Sequence, residues 1–282
     1  MIDPGAVDAM AVDPATFHPR AVEETAEVIA NRLVNAEYRH LVARCSAVAA
    51  AAKPGQFFQL LCPSAAGEAP FLRRPMSVYE AAQDALQVGF LYKVTGAGTR
   101  GLATLAPGDG MGLFGPLGHG FALHPRWRHV VAVGRGAGLA TLAPLARVAR
   151  EAGIGVTAIL SARRPALMLS DDVFRAHGAT VLTVTDSEGT SGPAHVERLL
   201  RGLVAEGRCD AFFTCGSARL LRVQQRLSQE LDVPGQVAME QQMACGLGMC
   251  FCCVRDFNVD GTIVHKRVCW DGPVFDMREA LG

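Results

Sequence analysis

Four cysteines near the C-terminal end of the chain have a spacing that could hold an iron–sulfur cluster. Cys245, Cys250 and Cys253 are separated by four and then two residues, and fifteen residues intervene before Cys269. Four thiolates bind a [2Fe–2S] cluster of the plant-ferredoxin kind in this C-x4-C-x2-C…C order. Two glycines lie between the first two cysteines, and their access to positive φ lets a tight loop turn its thiolates inward. The spacing therefore predicts that these four cysteines hold a [2Fe–2S] cluster.

Other uses of the cysteines are open. Cys252 is adjacent to Cys253 and could replace it as a ligand, although the two-residue spacer favours Cys253. Structural zinc usually takes two C-x2-C pairs, and only one is clear here, so zinc is the weaker alternative. A disulfide is weaker still, because no secretory signal places the chain in an oxidising compartment. We expect the scattered Cys45, Cys62 and Cys209 to be ordinary buried small residues.

Length and composition limit the classes of function. A chain of 282 residues, half of them hydrophobic, suits two domains and a small third one. The formal net charge is zero, which argues against a nucleic-acid partner, because phosphate binding needs an excess of basic residues. No apolar run is long enough to predict a transmembrane helix. Nine cysteines without a secretory signal predict a reducing, cytoplasmic location in which thiolates hold metal.

The first part of the chain predicts an all-β domain. Residues 1–25 contain three prolines and no steady periodicity, so we expect a flexible extension. Residues 26–125 contain six short β-rich runs separated by glycine and proline, which is typical of an antiparallel barrel.

Three segments between these runs could bind a dinucleotide, although each alone is more typical of an ordinary turn. Arginine offers fork-shaped donors and a glycine-rich loop offers open N–H groups to a pyrophosphate, and a serine hydroxyl beside them could bond a flavin ring nitrogen. The candidates are Arg74, Pro75 and Ser77 in the first segment, Gly96, Gly98 and Thr99 in the second, and Gly115 in the third.

Residues 126–234 predict a parallel α/β nucleotide-binding domain. An apolar strand leads into a glycine turn and then a helix, the arrangement that binds pyrophosphate at a helix N-terminus. The turn contains Gly134, Gly136 and Gly138, but it lacks the third glycine of a strict G-x-G-x-x-G fingerprint. Later strands alternate with helical stretches, which predicts a parallel sheet with helices on both faces.

Several polar residues fall at the carboxyl ends of these strands, where α/β sheets bind ligands. For Arg163 and Arg164, solvation and contact with the adenine ribose of a nicotinamide cofactor are equally good explanations. For Asp186 a turn-forming role is the better one, and Cys215 is a candidate for the nicotinamide site. Residues 235–282 form the third unit, which is too short to build much core, so we expect the bound cluster to contribute to its folding.

The order of these units resembles the ferredoxin–NADP reductase superfamily, and specifically the electron-transfer subunit of class 1B dihydroorotate dehydrogenase, an enzyme of pyrimidine biosynthesis. The resemblance covers roughly residues 27–275. Its motifs are LRRPMSV, the pair GAGTRGL and GPLGHGF, VGRGAGLATLAPL, and MACGLGMCFCCV with VCWDGPVF. The cysteine motifs are the most specific, because a ferredoxin reductase lacks them and a plant-type ferredoxin places its fourth cysteine much farther away.

The resemblance implies FAD in the barrel near Arg74, Pro75 and Ser77, with Gly98 and Thr99 at its phosphates. It also implies NAD(H) at the turn that contains Gly134, Gly136 and Gly138. Cys215-Gly216 matches a C-G-P segment beside the nicotinamide. The chain departs from the family at three places, all in the nicotinamide half: Ser217 replaces that proline, Arg135 replaces a small residue, and TDSEGTSG replaces an acidic-glycine loop.

The three cofactors have a joint chemical logic. Nicotinamide exchanges electrons as a hydride pair, an iron–sulfur cluster carries one at a time, and a flavin does both, so the flavin is expected between them. The resemblance further implies an FMN-containing catalytic subunit as partner in a heterotetramer-like complex. Two alternatives remain at this stage: a stand-alone reductase that feeds an oxygenase or other redox partner, and a non-catalytic redox-sensing module.

Overall fold

The structure, a computed structural model, describes residues 21–281. Of the predicted extension, residues 1–20 lie outside the described residues. The strands are β1 (Val22–Leu33), β2 (Tyr38–Arg44), β3 (Phe57–Leu60), β4 (Arg74–Ser77), β5 (Glu80–Ala82), β6 (Gln87–Lys93), β7 (Gly110–Leu117), β8 (His129–Arg135), β9 (Gly155–Ala162), β10 (Thr180–Thr185), β11 (Ala211–Cys215), β12 (Gly235–Ala238), β13 (Val254–Val259), β14 (Thr262–Arg267) and β15 (Val274–Asp276). The helices are α1 (Ala47–Ala50), α2 (Ala97–Leu102), α3 (Gly138–Glu151), α4 (Asp171–Ala176), α5 (Pro193–Ala205) and α6 (Ala218–Glu230).

The first seven strands form one antiparallel sheet in the spatial order β4-β3-β7-β1-β2-β6-β5. This confirms the predicted antiparallel barrel. The barrel is open, because the terminal strands β4 and β5 do not pair with each other in the described sheet. β1 begins at Val22, before the expected boundary at residue 26, and pairs with β7 from its first residue. Its charged positions, such as Glu23 and Glu27, face solvent while Ala26 and Val28 are buried, so the strand pattern is partly hidden in an acidic stretch.

The second sheet has the order β10-β9-β8-β11-β12-β15 and is parallel except for β15. Helices α3 and α4 pack on one face, and α5 and α6 pack on the other. This is the predicted doubly covered α/β sheet. The outer strands β12 and β15 flank the cysteine segment in the sequence, so that segment is tied to the sheet at both of its ends.

The cysteine segment itself contributes only the hairpin of β13 and β14, joined at Asp260-Gly261, where both residues have positive φ. Its apolar side chains share a core with the α/β sheet, because Phe257 and Val268 belong to the same buried cluster as Val131. The third unit therefore draws much of its core from its neighbour. No helix within residues 21–281 is both long and apolar enough to span a membrane.

Candidate functional site

Two of the four predicted cluster ligands lie against each other in the interior. The Sγ atoms of Cys253 and Cys269 are 3.2 Å apart, and both residues are buried. Backbone N–H groups point at both sulfurs: Cys269 donates to Cys253 Sγ at 3.3 Å, and Gly248 donates to Cys269 Sγ at 3.2 Å. Such donors stabilise thiolates, which are the form of cysteine that binds iron. Burial raises the pKa of Cys269 to about 12 in the absence of metal.

The other two predicted ligands form a second pair at the loop surface. Burial acts to raise the pKa of Cys245, but hydrogen bonds from the Leu247 and Cys250 backbones, from the Cys250 thiol and from the Met249 backbone outweigh it, and the pKa is lowered to about 7. The Leu247 N–H lies 3.3 Å from Cys245 Sγ. The loop can adopt this shape because Gly246 and Gly248 have φ values of +72° and +75°.

The cysteines are thus arranged as two pairs along one loop. Among residues 21–281, no three His, Cys, Asp or Glu side chains are grouped tightly enough to hold a single metal ion. A structural zinc needs four ligands around one point, whereas a two-iron cluster needs two thiolates for each iron. The donor set fits a [2Fe–2S] cluster, in which Cys245 and Cys250 would hold one iron and Cys253 and Cys269 the other.

The position of Cys252 bears on the alternative ligand. Cys252 is exposed, whereas Cys253 is 1% exposed and touches Cys269. This favours Cys253 as the ligand. All nine cysteines are free thiols in the structure.

A cavity of about 300 Å³ lies where the barrel, the start of α3 and the cysteine segment meet. Its wall includes Phe57, Pro75, Met76, Ser77, Tyr92 and Thr99 from the barrel, Ala137, Ala140 and Thr141 from the α/β domain, and Met239, Glu240, Met243 and Pro273 from the segment around the cysteine loop. This mixture of apolar walls and a few hydroxyl groups is typical of cofactor sites and fits an isoalloxazine. Three residues of the predicted flavin set, Pro75, Ser77 and Thr99, line it directly.

The structure also brings together the predicted phosphate-binding residues. Arg74 packs over Gly98, where a Cβ atom would lie 2.7 Å from Arg74 Nε, so any larger residue would displace the arginine side chain from this position. The segment predicted as a loop is the short helix α2, with Gly96 as its N-cap and the Thr99 hydroxyl accepting hydrogen bonds from the backbone of Thr95 and Gly96. It forms a helix because that hydroxyl satisfies N–H groups at its first turn.

Gly115 has a different setting. It lies on β7 against the ring of Phe58 in the barrel core, where a Cβ atom would lie 2.5 Å from the ring. It is absent from the walls of both described cavities. A direct cofactor contact by Gly115 stays a prediction.

A second, smaller cavity of about 170 Å³ is lined by Cys215, Gly216, Ser217 and Glu240, among others. Of the predicted nicotinamide residues, Cys215 lines it directly, whereas Gly134, Gly136 and Gly138 are not in its wall. A Cβ atom on Gly138 would lie 2.4 Å from the carbonyl group of Cys215. The turn after β8 and the turn after β11 therefore touch backbone to backbone. The other two glycines of the first turn have separate roles: Gly134 lets α3 pack on β8, and Gly136 has a φ of +56° and faces the hydroxyl of Tyr38.

Three side chains connect the two cavities. The buried hydroxyl of Thr141 donates to Ser77 Oγ at 3.0 Å and is also hydrogen-bonded with the thiol of Cys215. Burial raises the pKa of Cys215, so the thiol stays neutral. Sequence analysis did not identify Thr141, because it is one more residue in a helical pattern and nothing in its neighbourhood marks it as polar and buried.

The three departures in the nicotinamide half have structural partners. Arg135 donates to Asp186 Oδ1 at 3.2 Å and to Ser161 Oγ at 2.8 Å, across the ends of β8, β9 and β10. Hydrogen bonds from Ser191 and Arg135 hold the pKa of Asp186 below its usual range. The Ser217 hydroxyl caps α6 by accepting from Leu220 N at 3.4 Å.

The structure also places the two arginines at the end of β9. Arg163 forms an ion pair with Glu37 of the barrel, so here it joins the two domains. Arg164 lies beside it at the strand end with an exposed side chain.

Glu240 is a second residue that sequence analysis missed. It lines both cavities and is open to water through them, and the surrounding protein raises the pKa of its carboxyl by burial. Its position between β12 and the cysteine loop is the only sequence signal that could have identified it.

The chain is similar to known proteins both in its cysteine segment and over most of its length. Residues 240–280 match the model of the iron–sulfur cluster binding domain of dihydroorotate dehydrogenase B. The chain is 33% identical over 230 residues to the dihydroorotate dehydrogenase B (NAD(+)) electron transfer subunit of Desulforamulus reducens, which covers 81% of this chain and 86% of that protein. The protein of the same name from Geobacillus thermodenitrificans is 31% identical, with 92% and 98% covered.

Solved structures show the same architecture. The structure of an NADH-dependent reduced ferredoxin–NADP oxidoreductase superposes with a TM-score of 0.76 at 27% identity, covering 91% of this chain and 89% of that one. The ferredoxin reductase of carbazole 1,9a-dioxygenase superposes with a TM-score of 0.60 at 21% identity, covering 76% and 67%, and shows the fold alone.

Proposed function

The chain belongs to the family of dihydroorotate dehydrogenase B electron-transfer subunits, and we propose that it passes electrons between NAD(H) and a partner catalytic subunit. When bound, FAD exchanges hydride with the nicotinamide and single electrons with a [2Fe–2S] cluster. From the family resemblance we expect the partner subunit to carry FMN and to act on dihydroorotate. Free thiols throughout the chain suit a reducing compartment, and we propose the cytoplasm.

One observation carries this proposal: the wall of the flavin cavity includes residues from all three units. Met243, two residues before the first cluster ligand, lines the same cavity as Ser77 of the barrel and Thr141 of the α/β domain. A flavin there would lie beside the cysteine loop on one side and the nicotinamide cavity on the other. The flavin would then lie between the two-electron carrier, NAD(H), and the one-electron carrier, the cluster, as their chemistry requires.

The residues of the chain have positioning roles in this scheme. Arg74, with Gly98 beneath it, would hold the flavin phosphates, and Pro75 and Ser77 would bound the ring. Thr141 keeps the Ser77 hydroxyl and the Cys215 thiol in one hydrogen-bonded chain at the boundary between flavin and nicotinamide. The neutral, buried thiol excludes water from that boundary without adding charge.

Anaerobic purification followed by quantification of iron, zinc and flavin tests the proposal. We expect two irons and one FAD per chain, bleaching of the flavin by NADH, and a reduced-cluster EPR signal. Expression with candidate partners then separates the family role from a stand-alone reductase: a stoichiometric FMN protein that co-purifies supports the former. Colourless protein, or protein that holds zinc, would reject the proposal.

A further inference from the structure

Gln59 has a buried amide with no hydrogen-bond partner in the described part of the chain. The residue lies on β3 and is 1% exposed, and both its Nε2 and its Oε1 are buried and unpaired. The neighbouring buried glutamine behaves differently: Gln56 Nε2 donates to Gly118 O at 2.8 Å, and its Oε1 accepts from Lys53 N at 2.9 Å. Buried amides are almost always paired, since an unpaired one loses its hydration without compensation. The unpaired amide of Gln59 therefore indicates that a bound group accepts or donates a hydrogen bond there in the working protein.

The position of Gln59 identifies that group. Side chains two apart on a strand share a face, so Gln59 is on the same face of β3 as Phe57, which lines the flavin cavity. Its cross-strand partner, Pro75, lines that cavity too. On its other side, a Cβ atom added to Gly246 would lie 3.0 Å from Gln59 Nε2. The amide thus lies between the flavin cavity and the residue that follows Cys245.

Resting on the proposed function, we propose that Gln59 donates a hydrogen bond from Nε2 to a sulfur of the [2Fe–2S] cluster on the side held by Cys245. Sulfide and thiolate sulfurs accept hydrogen bonds but cannot donate them, so the NH2 group is the part of the amide that suits them. Reduction adds negative charge to the cluster, and a donor stabilises that charge. Hydrogen bonds to the sulfurs are among the factors that set the reduction potential of such clusters. Gln59 would therefore favour electron transfer from the flavin to the cluster.

An EPR-monitored redox titration of the purified holoprotein tests this role. Gln59→Leu removes the donor and puts an apolar side chain of similar volume in its place. Gln56→Leu is the matched control, since it removes a buried glutamine whose hydrogen bonds go to Gly118 and Lys53. We expect Gln59→Leu to lower the equilibrium constant for cluster reduction about tenfold, which is about 59 mV for a one-electron couple. The potential of the cluster in Gln56→Leu and the potential of the flavin in both variants should stay at their wild-type values.

An unchanged cluster potential in iron-replete Gln59→Leu overturns the inference, and so does a shift of the flavin potential alone, which would place the amide on the flavin. If Gln59→Leu does not retain iron, pulsed EPR of the wild type with ¹⁵N-labelled glutamine amides decides. A ¹⁵N coupling to the reduced cluster supports the hydrogen bond, and its absence overturns it. Wild-type protein without a cluster signal would instead overturn the proposed function together with this inference.

Discussion

Replacing Gly138 with alanine should impair the reaction with NADH while leaving the flavin and the cluster bound. The added methyl group would lie 2.4 Å from both the carbonyl carbon and the carbonyl oxygen of Cys215, and 2.7 Å from the Cα atom of Gly216. Every atom that it meets there belongs to the backbone, so no side chain can rotate away. The two turns must therefore move apart at the corner where NAD(H) is proposed to bind.

The size of the effect follows from these distances. Non-bonded carbon atoms are ordinarily about 3.5–4.0 Å apart, so the turns must separate by about 1 Å. Overpacking of this kind costs about 2 kcal/mol of unfolding free energy, which corresponds to about 3–4 °C in melting temperature for a chain of this size. A 1 Å misplacement of reacting groups costs about 100-fold in rate. We expect Gly138→Ala to reduce its flavin with NADH about 100-fold more slowly than the wild type does.

Anaerobic stopped-flow measurement of flavin bleaching by NADH is the assay, and chemical reduction with dithionite checks that flavin and cluster are still loaded. Gly202→Ala is the matched control, because Gly202 lies inside α5 with no atom within 4 Å of an added Cβ. Alanine in a helix interior is about 0.5–1 kcal/mol more favourable than glycine, so this variant should melt slightly higher and react normally. The reasoning is refuted if Gly138→Ala keeps the wild-type rate and melts no lower than Gly202→Ala.

Three further predictions concern single side chains. Cys250→Ser should lose the visible absorption and EPR signal of the cluster while keeping FAD, and exposed Cys252→Ser should keep both; the reverse result would show that the ligand assignment is wrong. Thr141→Val should slow NADH oxidation about fivefold, the equivalent of one net hydrogen bond of about 1 kcal/mol, with Thr141→Ser near the wild-type rate, and equal rates in both variants would count against the link to Ser77. Burial raises the pKa of Glu240 above its usual 4.5, so ionisation of this carboxyl destabilises the folded state as pH rises from 4.5 through the raised pKa. Glu240→Gln should therefore have a higher melting temperature than the wild type at pH 7, and the difference should vanish below about pH 4. A difference in melting temperature that does not depend on pH would contradict this.

Local patterns in the sequence predicted much of the fold and of the site. The cysteine spacing, the glycine turn after an apolar strand and the alternation of strand with helix are all short-range signals. They led to the cluster loop, to the corner at Gly138 and to the order of the three units. Their physical basis is that ligand convergence and backbone turns depend on neighbours along the chain.

Long-range pairings could not be predicted in this way. β12 and β15 are separated by the whole cysteine segment, and their antiparallel pairing depends on a register that no local pattern encodes. The same limit applies to Thr141 and Gln59, whose burial next to Ser77 and Gly246 arises only when separate units pack. The helix α2 was missed for a different reason. Its two glycines have low helix propensity, but the hydroxyl of Thr99 accepts a hydrogen bond from the backbone N–H of Gly96, the N-cap residue.

The departures in the nicotinamide half are best understood together. Taken singly, Arg135 puts a charge into a glycine turn, and the TDSEGTSG segment that contains Asp186 departs from the loop of the family, so both count against tight NAD(H) binding. In the structure Asp186 pairs with both Arg135 and Arg219, and the Arg219 contact is 3.1 Å long. Exposed pairs of this kind add little stability, so their consequence is electrostatic: one carboxylate offsets part of the positive charge that two arginines place at this corner. The turn at Gly138 and the turn after Cys215 still approach each other backbone to backbone, so these residues are accommodated without opening the corner.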